Sequence, residues 1–183
     1  MTLANRITIV RLVLIPVFAV LVMSYTREEQ WYRIAALVTF AVAAASDALD
    51  GFVARAYNQK TKLGAVLDPL ADKLMVNIAF VFLAVNHQFL TPIPAWFPVI
   101  ILSRDVIIVL GSYLINEFFG PVRVRPRMTG KLTTVLQMAT IIAVLLEWRF
   151  TYELIVATLV IAVISFFDYL YVGIRQIGNE DSM

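Results

Sequence analysis

Six blocks of apolar sequence, at about 8–25, 32–56, 63–86, 95–117, 130–147 and 152–174, fill most of this 183-residue chain. Each is close to the roughly 20 residues that an α-helix needs to cross a bilayer. In lipid, backbone polar groups must pair within their own segment or a closed barrel, so apolar runs of this length predict helices. The expectation is an all-α, polytopic membrane protein. It has six transmembrane helices, a short interfacial lead-in over residues 1–7, and one domain spanning 1–183. The chain is 61% hydrophobic and 15% charged, against roughly 25% charge in a soluble domain. The first block follows Arg6 and Arg11, as a signal peptide would. It lacks a small-residue cleavage pattern and five blocks follow it, so it is expected to be retained. Pro16 inside it predicts a kink.

Several chemistries drop out early. With no cysteine there is no disulfide framework, thiolate zinc site or thiol nucleophile. The single His87 lies in the connector 87–97, beside Pro92, Pro94 and Trp96. It is expected as a solvated turn residue, which argues against a His-based triad. A net charge of +2 gives no footprint for nucleic acid.

The placement of charge says more than its sum. Arg6, Arg11, Arg55, Lys60, Lys62, Arg123, Arg125, Arg127, Lys131 and Arg175 fall in alternate connectors and at the termini. The opposite connectors hold Arg27, Arg33 and Arg149 together with Glu28, Glu29, Glu147 and Glu153. The positive-inside rule then sets both termini and the 55–62 connector in the cytoplasm. The polar tail Asn179 to Met183 is expected to fray.

Against this apolar background, residues 47–72 carry four aspartates. Asp47, Asp50, Gly51 and Ala54 follow helical spacing and share one face of the second block. Gly64, Asp68 and Asp72 step by four along the third. A short basic connector joins the two blocks, so their cytoplasmic ends are expected to meet. Four membrane-embedded aspartates cost on the order of 10 kcal/mol, and like charges at close range add repulsion. Divalent cations would remove both penalties. Oxygen-only ligation fits a hard ion such as Mg²⁺ or Mn²⁺, and four carboxylates can hold two ions for phosphoryl displacement. Gly51 and Ala54 leave space beside the carboxylates. Arg55 is placed for a phosphate, and Lys60, Thr61 and Lys62 extend a basic rim. Two bland alternatives stand beside this. The aspartates could line the cation pathway of a transporter, and Arg55, Lys60 and Lys62 could be topology anchors.

Residues 47–72 resemble the signature of the CDP-alcohol phosphatidyltransferase family, D-x2-D-G-x2-A-R-x8-G-x3-D-x3-D. Asp47, Asp50, Gly51, Ala54, Arg55, Gly64, Asp68 and Asp72 match all eight fixed positions. The number of blocks and the length also fit. The resemblance implies two metal ions held by Asp47, Asp50, Asp68 and Asp72, with Asp72 also the base for the acceptor hydroxyl. It implies that Gly51, Arg55 and Thr61 contact CDP and that Gly64 makes room for the nucleotide. Asn5, Thr8 and Arg11 resemble a family pattern before the first span and would line the same pocket. For these three the alternatives are a cap, a helix-surface residue and an interfacial anchor.

Further along, Arg104 and Asp105 interrupt the fourth block. A buried Arg faces a cavity or a partner: here either a substrate phosphate, or a structural ion pair with Asp105 or with Asp168. Arg123, Arg125 and Arg127 lead to Gly130, Lys131, Thr133, Thr134 and Gln137, a small-polar stripe entering the fifth block. The arginines and Lys131 suit an anion, and equally a surface drawn to anionic lipid. Within the family this pattern resembles the branch that makes anionic phospholipids. That implies transfer of the phosphatidyl group of CDP-diacylglycerol to glycerol 3-phosphate, with release of CMP, and Arg104, Arg123, Arg125 and Lys131 contacting the acceptor. The alternative acceptor is phosphatidylglycerol, favoured by Asp105 and by Ser112 where an Arg is usual in the first group. The resemblance also implies a homodimer in a bacterial inner (cell) membrane.

Overall fold

The structure is a computed structural model. Its backbone is described for residues 3–56, 64–118 and 128–180, and its side chains for 10–46, 73–115, 117 and 128–174. The described residues form six helices and no strand: α1 Leu3–Ser24, α2 Gln30–Ala56, α3 Gly64–Val85, α4 Trp96–Phe118, α5 Met128–Leu145 and α6 Thr151–Glu180. Among the described residues, three stretches are long and apolar enough to cross a membrane: Trp96–Ile115, Met128–Leu145 and Thr151–Ile174. Shorter apolar stretches occupy Val10–Ser24 of α1 and Lys73–Val85 of α3.

Two boundaries differ from expectation. α1 begins at Leu3, so most of the lead-in is the first turns of the same helix. It runs through Pro16 unbroken, although Pro16 has no N–H to donate to the carbonyl one turn back. α6 continues to Glu180, so Asn179 and Glu180 are helical where a frayed tail was expected. Arg175, Gln176 and Glu180 are good helix formers and no proline stops the run.

The chain forms two compact units, Met1–Ile93 with Ile141–Trp148, and Pro94–Thr140 with Arg149–Met183. In the first, α1 packs on both α2 and α3. Ile15, Phe18, Ala19 and Val22 recur at helical spacing and are buried against Ala36, Phe40 and Ala43 of α2 and Ala79, Phe80 and Leu83 of α3. The alanines bring the backbones close, as small residues do between helices in lipid. Phe18 and Phe40 fill the space between them, ring centroids 5.9 Å apart. Val13, Val17 and Val20, on the other side of α1, stay exposed, as a lipid-facing surface would be.

The last carbonyls of a helix lack intrahelical partners, and those of α1 are served by the chain itself. Asn86, just past α3, donates its Nδ2 to the Val22 carbonyl at 2.6 Å and the Tyr25 carbonyl at 2.9 Å. Arg33 of α2 does the same for α5, donating to the Leu145 carbonyl at 2.9 Å. His87, in the adjoining turn, is exposed as expected.

In the second unit α4 packs on α6, and α5 meets α6 through hydroxyls. Thr140 and Thr158 are 2.7 Å apart, Thr158 donates to the Leu136 carbonyl at 3.2 Å, and Thr129 donates to Asp168 at 3.0 Å.

Candidate active site

The helical spacing assumed for the aspartates holds. α2 stays helical through positions 47, 50, 51, 54 and 55, and ends at Ala56. α3 starts at Gly64 and carries 68 and 72 in its first turns. The two helices belong to one unit and touch each other. Positions 47 and 50 therefore lie one turn apart on α2, and 68 and 72 one turn apart on α3. The side chains of Asn5, Thr8, Asp47, Asp50, Arg55, Asp68 and Asp72 lie outside the described residues, as do Thr61, Arg123 and Arg125 altogether. Among the described residues no three His, Asp or Glu side chains converge.

Arg11, the third member of the N-terminal triplet, is 1% exposed. An interfacial anchor would reach water, so this guanidinium is an interior group of the first unit. It enters along the face of α1 that also buries Ile15, Phe18 and Val22.

In the second unit Arg104 is 7% exposed and Asp105 6%. Arg104 Nη1 donates to Asp105 Oδ1 at 2.6 Å, and Nη2 donates to the Ser165 hydroxyl at 2.6 Å. Of the two ion-pair arrangements open in the sequence, the pair with Asp105 is present. Ser165 was missed as a partner. Its signal was available, because it stands three residues before Asp168, on the same face of α6. Neighbouring residues rarely face each other on a helix; here both side chains are turned inside, where a guanidinium needs a counter-charge.

At the start of α5, Lys131 is exposed. Thr133, Gln137 and Thr140 form a buried polar stripe on the same helix, each 1% exposed or less. Thr133 donates to the Thr129 carbonyl at 2.8 Å and Thr134 to the Gly130 carbonyl at 3.3 Å, so part of the stripe's hydrogen bonding is internal. Gly130 lets α5 approach α6: a Cβ there would stand 2.9 Å from the Tyr169 hydroxyl.

Comparisons with known proteins agree with the motif. The family model for CDP-alcohol phosphatidyltransferase matches residues 1–167. A protein of Yersinia pestis (strain Pestoides F), named CDP-diacylglycerol–glycerol-3-phosphate 3-phosphatidyltransferase, is 34% identical over 172 residues, 90% of each chain. A Pseudomonas fluorescens protein of the same name is 42% identical over 109 residues, 59% of this chain and about half, 53%, of its own length. A human protein named cardiolipin synthase (CMP-forming) is 32% identical over 167 residues, 82% of this chain and 52% of its own. The chain belongs to the CDP-alcohol phosphatidyltransferase family.

Proposed function

We propose that this protein is a membrane enzyme of phospholipid biosynthesis that transfers the phosphatidyl group of CDP-diacylglycerol to glycerol 3-phosphate and releases CMP. The observation that carries this is the complete eight-residue motif, set on continuous helix in α2 and α3. A relative bearing that activity in its name aligns over 90% of both chains.

In this account a hydroxyl of glycerol 3-phosphate loses its proton to the Asp72 carboxylate. The resulting oxygen attacks the phosphorus that carries the diacylglycerol, and the P–O bond to CMP breaks, with the electron pair leaving on CMP. The donor set fits metal ions: four oxygen-donor side chains, paired one turn apart on each of two touching helices, suit hard divalent cations. Asp47, Asp50, Asp68 and Asp72 would hold two, Mg²⁺ or Mn²⁺. When bound, such ions neutralise the pyrophosphate and the departing CMP. Gly51, Arg55, Thr61, Gly64, Asn5 and Thr8 hold the CDP moiety, Arg55 by charge and the glycines by leaving space. Lys131, Arg123, Arg125 and Arg104 serve the acceptor.

All six helices span the membrane in this account, as one catalytic domain over 1–183, with the active site and both termini on the cytoplasmic side of a bacterial inner membrane. The protein acts as a homodimer. One observation favours the alternative acceptor, phosphatidylglycerol. Arg104 is neutralised by Asp105 at 2.6 Å, which weakens its attraction for a phosphate monoester. Purified protein given CDP-diacylglycerol and Mg²⁺ or Mn²⁺ decides between them. Faster CMP release with glycerol 3-phosphate supports the first reading, and faster release with phosphatidylglycerol replaces it with the second.

A further inference from the structure

Gln137 Nε2 and Arg104 Nε are buried donors without an acceptor, and they are the only such side-chain atoms among the described residues of the second unit. Gln137 is 1% exposed and Arg104 7%. Stranding a buried donor is destabilising, and such a deficit inside a membrane marks a place where a ligand oxygen is favoured.

The two donors stand at similar depth. Thr129 with Asp168 and Thr140 with Thr158 fix α5 and α6 as antiparallel neighbours. Ser165, three residues before Asp168, then falls level with the turn at Thr133, and Ser165 is the group that accepts from Arg104. Gln137 lies one turn farther along α5, about 6 Å. Both missing partners are acceptors, so the matching ligand is rich in oxygen.

Charge narrows its class. Gln137 is neutral, and Arg104 faces Asp105 at 2.6 Å. A phosphate dianion brought here would lie against the Asp105 carboxylate, whereas an uncharged hydroxyl oxygen would meet no such repulsion. Lys131, exposed at the start of α5, is a separate cation that suits the phosphate.

We propose that Gln137, aided by Arg104, donates to the non-reacting hydroxyl of a glyceryl acceptor and so sets acceptor specificity. This rests on the activity proposed above and assigns one specificity residue to it.

The test compares two acceptors. Glycerol 3-phosphate and 3-hydroxypropyl phosphate share the phosphate and the primary hydroxyl, but the second lacks the middle hydroxyl. Wild-type enzyme is expected to favour glycerol 3-phosphate in kcat/KM by at least about tenfold, since a site built for a hydroxyl rejects an analogue without it. Gln137→Leu and the near-isosteric Gln137→Glu should both remove that preference. Each should lower kcat/KM for glycerol 3-phosphate by about tenfold or more. Turnover of 3-hydroxypropyl phosphate and KM for CDP-diacylglycerol should stay within about twofold. Equal losses with both acceptors, or no loss with either, overturn the assignment of Gln137 and leave the proposed activity standing. No CMP release by wild-type enzyme with glycerol 3-phosphate overturns the activity itself, and the assignment with it.

Discussion

Glu147 accepts a hydrogen bond from the Tyr25 hydroxyl at 3.0 Å while its own backbone sits in the left-handed region, at φ 52°. It ends α5. Trp148 N–H donates to the Ala143 carbonyl at 2.9 Å and Glu147 N–H to the Val144 carbonyl at 3.0 Å, the closing pattern that glycine usually completes. A glycine here would relieve about 1 kcal/mol of backbone strain. It would also remove the acceptor for Tyr25 and for the Leu90 N–H at 3.4 Å, and the carboxylate 3.6 Å from Arg33. Lost hydrogen bonds cost about 0.5–1.5 kcal/mol each, so the side chain outweighs the strain. Thermal unfolding in one fixed detergent should therefore rank Glu147→Gln as mildest, Glu147→Gly next and Glu147→Ala worst. A Glu147→Gly protein that melts above wild type contradicts this.

The Arg104–Asp105 pair is a second place where single changes mislead. Arg104→Met takes the guanidinium away from the buried Asp105 carboxylate, and Asp105→Leu takes the counter-charge from the buried Arg104 guanidinium, the second costing about 3–5 kcal/mol. Replacing both removes the charges together. The double variant should unfold at a higher temperature than either single one, while Ser165→Ala, which removes one hydroxyl from Arg104, should cost about 1 kcal/mol. A double variant no more stable than the worse single one would mean that the two side chains are not coupled.

Close approach at Gly130 gives a third case. A methyl group there meets the Tyr169 hydroxyl at 2.9 Å, and the overpacking is offset by the helix propensity that alanine gains and by movement of the Tyr169 tip, so Gly130→Ala should cost at most about 1 kcal/mol. Tyr169→Phe removes the obstructing oxygen and should recover part of the loss in the double variant. Additive losses would place the strain elsewhere.

The class of fold was legible because lipid imposes simple rules on sequence, and the family because residues 47–72 match its eight-position signature. Apolar blocks of fixed length announced helices, and Asp47 to Asp72 repeated at helical periods that α2 and α3 bear out. What was hard to read depended on tertiary context. Nothing local marks Glu147 as a residue that takes a glycine's backbone conformation, because the reward comes from Tyr25, 122 positions away. Asn86 is the last residue of the third apolar block, and nothing local shows that its amide caps the end of α1, 61 to 64 positions away. For Arg104 the search for a counter-charge pointed to the right face of α6 at Asp168. The hydroxyl it reaches is Ser165, about one turn away, and charge-based reasoning does not look for a serine. The end of α6 was placed too early because polarity was read as fraying, although Arg175 to Glu180 is also good helix sequence.

Metal dependence follows from the aspartate set. A strong chelator should abolish CMP release, and Mg²⁺ or Mn²⁺ should restore it. Asp47→Ala, Asp50→Ala and Asp68→Ala should each lower kcat by at least about 100-fold, because misplaced charge at a phosphoryl-transfer centre loses several kcal/mol of stabilisation. Full activity in excess chelator would rule out the metal role.

The central claim is that Asp72 takes the acceptor's proton during phosphatidyl transfer. The direct measurement is CMP release from CDP-diacylglycerol and glycerol 3-phosphate by purified wild-type and Asp72→Asn proteins, each with saturating Mg²⁺ or Mn²⁺ and matched for folding by thermal unfolding. The expected result is steady CMP release dependent on glycerol 3-phosphate in the wild type, and a loss of at least about 1,000-fold in the folded variant, combining base and ligand roles. Turnover by Asp72→Asn close to the wild-type rate would contradict the account.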